Sequence, residues 1–182
     1  CKTPGERTLA RQGTVGGPPW PLPTGMIAAA CVAHVVALVV LALSADNLAR
    51  AAYAAPGILA AVHVYGLAFL TVTIVAAMLQ LVPVILRQRV GSTVRQCGAG
   101  VALIVGASSL AAGLGQGVTA LSAAGGVLLA LGLLTVVVDL AAALWRAHRS
   151  PTGLGATGRG LAMSGFWLAV VVGVGLVLAA DR

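Results

Sequence analysis

The chain has 182 residues, of which 59% are hydrophobic and 8% charged, with a mean hydropathy of +1.03. An ordinary soluble domain carries about 25% charged residues, so composition excludes a water-soluble fold and predicts one all-α bundle embedded in a bilayer, with no room for a separate soluble domain. The net charge of +7 does not indicate a nucleic-acid partner: the basic residues form three short groups with no interleaved aromatics, as membrane-flanking loops do.

Residues 1–23 are polar and then rich in Gly and Pro, ending in "GTVGGPPWPLP". Such a run does not propagate a helix, and it is expected to be a cytoplasmic arm with Trp20 as an interfacial anchor. No short apolar region followed by a small-residue cleavage site is present, so no signal peptide is read here. Cys1, Cys31 and Cys97 are odd in number and widely spaced, which gives neither a disulfide framework nor a zinc site. The basic segment after Cys1 argues against a lipid anchor at that residue.

A membrane-spanning helix needs about 20 apolar residues. Five stretches over 24–182 meet or approach that length: Thr24 to Ser44, Gly57 to Leu86, Gly98 to Leu114, Val118 to Trp145, and Leu161 to Ala180. The second and fourth are long enough to tilt or to emerge from the lipid. Loops rich in Lys and Arg stay in the cytoplasm. With the N-terminus inside, nine of the eleven basic residues fall on the cytoplasmic side, leaving Arg50 and Arg182 outside. The expectation is a multi-pass protein of the bacterial inner (plasma) membrane with its C-terminus outside, a short interfacial helix within "ADNLARAAYAAP" and a tight turn at "GLGQG". Glycines recur through the spans, at Gly100, Gly106, Gly125, Gly126, Gly132 and Gly165 among others, where they let backbones approach closely. No internal repeat of the kind seen in duplicated transporters is visible.

Polar groups deep in a membrane are expensive and mark candidate sites. Here they are His34, His63, Gln80 and Asp139, with Tyr65 as a lesser member. At 1.5 Å of rise per residue, His34 and His63 differ in depth by about one turn, which allows a common cavity in the outer half. Two imidazoles from different helices can clamp a haem iron; the alternative is that each bonds a carbonyl or hydroxyl of the protein. Cys31, three residues before His34, leaves a copper site as a further option. Gln80 and Asp139 lie at similar depth near the cytoplasmic ends of their spans. They are read either as a proton or ion pathway, or as a structural pair with Asp139 held by Arg87, Arg95 or Arg146. His148, flanked by arginines, is expected to be solvated. No nucleophile elbow, P-loop or H-E-x-x-H helix occurs.

The stretch "HVYGLAFLTVTIVAAMLQLVPVIL", His63 to Leu86, resembles the second transmembrane helix of haem-copper oxidase subunit I and of its smaller haem-binding membrane relatives. The matching residues are His63, Gly66, Gln80 and Pro83. The resemblance implies that His63 is an axial ligand of a low-spin haem b. It covers about 24 of the 182 residues, and the five spans lack the further histidines of the catalytic family. What it implies is therefore an electron-transfer component or a respiratory-complex subunit, not a complete oxidoreductase. Two other functions compete with it: a cofactor-free accessory or assembly subunit docking on other membrane subunits or on itself, and a small proton-coupled transporter using Asp139 and Gln80.

Overall fold

In the computed structural model the chain is described over residues 20–150 and 155–180, without the side chains of 172 and 175–180. Cys1, most of the expected N-terminal arm and Arg182 lie outside the described residues. The rest is helical: α1 (Pro21–Leu43), a short α2 (Ala45–Ala49), α3 (Pro56–Leu86), α4 (Thr93–Gln116), α5 (Thr119–His148) and α6 (Ala156–Ala180). Among the described residues there is no strand.

Local chemistry explains the helix ends. α1 begins at Pro21, earlier than the apolar run predicts, because the missing N–H of a proline is no loss in a first helical turn; Thr24 Oγ1 adds a bond to the Trp20 carbonyl. α4 begins at Thr93 rather than Gly98 because Ser92 caps it, its hydroxyl accepting the Arg95 N–H at 3.3 Å. α4 ends at Gly117, whose φ of 70° lets the chain turn at once into α5. The last turn of α5 carries Arg146, a cation favoured at a helix C-terminus.

Four of these helices, Pro21–Leu43, Pro56–Leu86, Thr93–Gln116 and Thr119–His148, are long and apolar enough to cross a bilayer. The 31 residues of α3 make a rod of about 46 Å, well beyond the roughly 30 Å of hydrocarbon. Large apolar side chains such as Val35, Leu38, Val101, Val105, Leu131 and Val138 are exposed. In water that pattern would place polar residues outside; here the outer surface suits lipid, and the chain is a multi-pass membrane protein.

Inside, the packing is close. Met26 and Ala30 of α1, Ala68, Val72 and Ala76 of α3, and Leu103 and Ala107 of α4 belong to one buried cluster with Leu129 and Leu133 of α5. The α4–α5 seam is closest of all. A Cβ added to Gly106 would sit 2.5 Å from the Leu129 nitrogen and 2.9 Å from the Gly125 carbonyl oxygen. Ala99 meets Gly132 one heptad earlier on α4, and Gly113 meets Ser122 one heptad later. Small residues at seven-residue spacing thus keep one stripe of α4 in backbone contact with α5. A second cluster, Val82, Leu86, Val90, Leu140, Ala143 and Ala147, ties the end of α3 to the end of α5, with Leu161 of α6 packed against it.

Candidate functional site

His63 closes the regular first section of α3, and the helix then widens into a π-helical stretch over Val64–Thr71 before resuming its ordinary pitch at Val72. Thr71 Oγ1 donates to the Gly66 carbonyl at 2.9 Å, five residues back, which reinforces the wide turn. The half-buried His63 ring sits with Nδ1 2.7 Å from the Leu59 carbonyl oxygen. A carbonyl only accepts, so Nδ1 carries the proton. In the neutral ring Nε2 is then the nitrogen with the lone pair. A histidine oriented through Nδ1–H to a backbone carbonyl is the arrangement that metal-binding histidines use.

His34, on α1, is also half-buried, but its surroundings differ. Its ring centroid lies 4.5 Å from Phe69 and 5.6 Å from Tyr65, both in the π-helical stretch of α3; Tyr65 and Phe69 are 5.4 Å apart. This aromatic trio fixes α1 against α3. His34 Nδ1 is buried without a hydrogen-bond partner, an omission that costs about 1–3 kcal/mol. His63 precedes Tyr65 by two residues, which places it roughly half a turn around the helix from the face that His34 touches. His34 thus packs on the Tyr65 and Phe69 rings, while the His63 ring is held by the Leu59 carbonyl.

Among the described residues no three or more His, Cys, Asp or Glu side chains converge as a metal-ion site, and Cys31 is exposed. Bare copper or zinc asks the protein for three or four ligands. Haem differs, because the porphyrin supplies four nitrogens and the protein adds one or two axial ligands. The available donor, His63 Nε2, fits an axial role and does not fit a bare-metal site.

The second polar region lies where the ends of α3 and α5 meet the start of α4. Asp139 is buried, and its Oδ1 lies 2.9 Å from Arg95 Nη2. The carboxyl is 6% exposed and the Arg95 side chain 54%, so the arginine covers the carboxylate from the solvent side. Gly91, at φ 59°, leaves the space that the Asp139 carboxylate occupies; any Cβ there would collide with it. Gln96 is buried, donates through Nε2 to the Val90 carbonyl, and leaves Oε1 unpartnered. A cavity of about 20 Å³ adjoins these groups, with walls almost wholly apolar, formed by Val75, Leu79, Val136 and their neighbours; it has room for about one water.

Gln80 points elsewhere. It is exposed on α3, and the amide beside Asp139 belongs to Gln96. Sequence reading overlooked Gln96 because it precedes the apolar run taken as the third span; the Ser-Thr start before "VRQC" was the available signal. Of the three arginines considered for Asp139, the structure selects Arg95, while Arg146 Nη2 donates to the Arg89 carbonyl at 2.7 Å. His148 is exposed.

Compared with protein-family models, curated proteins and solved structures, the chain has no match.

Proposed function

We propose that this protein is a membrane haem protein of the bacterial plasma membrane, in which His63 is an axial ligand of a b-type haem and the bundle serves electron transfer as a subunit of a respiratory complex. The observation that carries the reading is the Nδ1 bond from His63 to Leu59, which leaves Nε2 as the donor nitrogen. Bound haem supplies one-electron redox chemistry. The chain's own contribution is to orient one imidazole, whose ring is held by the Leu59 carbonyl.

His34 is assigned to the aromatic contact between α1 and α3. Asp139, covered by Arg95, is assigned a structural role, which argues against proton-coupled transport. The helix Ala156–Ala180 supplies the fifth span. The arginine-bearing loops around Arg87, Arg89, Arg146 and Arg149 face the cytoplasm by their charge, with the N-terminus on the same side and the C-terminus opposite.

One observation favours the competing reading, a cofactor-free accessory subunit: His63 already has a protein partner. An absorption spectrum of detergent-purified protein, expressed with ample haem and recorded oxidised and reduced, separates the two. Haem binding gives a Soret band that shifts on reduction; a featureless visible region removes the haem reading.

A further inference from the structure

One end of the bundle is rich in arginine. Arg87 and Arg89 follow α3, Arg95 begins α4, Arg146 and Arg149 close α5, and Arg159 lies in α6 beside the same cluster through Leu161. Among the described residues the one carboxylate at this end is Asp139, and Arg95 takes it. Five arginines remain in excess, all exposed. The Arg146 guanidinium bonds the backbone carbonyl of Arg89 at 2.7 Å, which ties the end of α5 to the segment that carries Arg87 and Arg89. Arg149 lies over the Trp145 ring, 3.9 Å from its centroid, and Trp145 is exposed. An indole at this level is typical of the headgroup layer.

Below the arginines the surface changes sharply. Leu81, Val84 and Ile85, on the last turns of α3, are all exposed. A ligand for this region must therefore carry an anionic group for Arg89, Arg146 and Arg149 and an apolar tail for the α3 surface beneath them. Inorganic phosphate has only the first, and nucleic acid offers no match for the apolar part.

We infer that the exposed surface at the ends of α3 and α5 binds the phosphate headgroup of an anionic phospholipid, drawn by the charge of Arg89, Arg146 and Arg149, with its acyl chains along the exposed Leu81, Val84 and Ile85. Arginine suits this role, because its planar fork bonds two phosphate oxygens at once. The site is independent of haem binding and holds for either reading of the function.

The test is native mass spectrometry of the detergent-solubilised protein titrated with phosphatidylglycerol or phosphatidylcholine. Each arginine near an anionic headgroup contributes about a five-fold preference, so Arg89, Arg146 and Arg149 together predict about 125-fold stronger retention of phosphatidylglycerol, of which Arg89 and Arg146 supply about 25-fold. In the double variant R89Q/R146Q the preference falls about 25-fold, to the roughly five-fold that Arg149 alone supplies, whereas R50Q, at the opposite end, keeps it. Wild-type protein provides a readout that does not depend on the variant folding: the preference shrinks as salt is raised to about 0.5 M, where screening is nearly complete over one headgroup. Equal retention of both lipids, a preference unchanged by salt or kept by R89Q/R146Q, or full displacement of the lipid by millimolar inorganic phosphate overturns the inference.

Discussion

Replacing Gly106 by alanine tests the α4–α5 seam, on which the bundle rests. The added Cβ would lie 2.5 Å from the Leu129 nitrogen, 2.9 Å from Leu129 Cα and 2.9 Å from the Gly125 carbonyl oxygen. All three are backbone atoms, so no side chain can swing aside. Ordinary carbon contacts lie at about 3.5–4.0 Å, and relief requires the two helices to part by about 1 Å. A gap of that size forfeits a quarter to a half of each van der Waals contact along the seam, and in lipid no hydrophobic drive between helices replaces it. Overpacking costs about 1–3 kcal/mol, set against a gain of up to about 1 kcal/mol from removing a helical glycine. The expected net loss is about 1 kcal/mol. Gly126 is the control, since a Cβ there meets nothing within 4 Å, and Gly126→Ala should be neutral or stabilising. Unfolding in mixed micelles with increasing dodecyl sulfate, followed by circular dichroism, measures both. If Gly106→Ala unfolds at the same point as Gly126→Ala, the seam does not hold the bundle as described. The double variant G106A/G125A should lose less than the sum of its single variants, because one separation relieves both clashes.

Two further substitutions probe the polar groups. Arg95→Met uncovers a buried carboxylate and should destabilise by about 3 kcal/mol, whereas Asp139→Asn leaves a half-exposed arginine to water and should lose less; the same unfolding assay ranks them, and the reverse order contradicts the cover that Arg95 gives Asp139. His34→Phe keeps the aromatic trio and removes the unpartnered Nδ1, so it should stabilise by about 1 kcal/mol and leave any haem spectrum unchanged; a lost Soret band in this variant would restore His34 as a ligand.

The spans were legible because lipid demands long apolar runs, and α1, α3, α4 and α5 carry them openly. Their ends were less so. Pro21 reads as a breaker yet sits inside α1, since a first turn tolerates proline, and the Ser92 cap adds a polar turn to α4 that hydropathy alone assigns to a loop. That turn holds both Arg95 and Gln96, so the partner of Asp139 could be narrowed to three arginines but not chosen, and Gln80 stood in for Gln96. The choice depends on helix phase: Gln80 and the buried Leu79 are adjacent in sequence and face opposite environments. The histidines show the same limit. Depth along α1 and α3 was available from counting residues, but the π-helical stretch after His63 has no recognised sequence signal, and it sets which face of α3 carries Tyr65 and Phe69 towards His34.

The central claim is that His63 Nε2 binds iron, and chemical rescue tests it most directly. His63→Gly, purified with haem and titrated with free imidazole, should show a Soret band that is weak or absent at first and returns towards the wild-type position as imidazole fills the vacated ligand position. A His63→Gly protein whose oxidised and reduced spectra match wild type without imidazole contradicts the account.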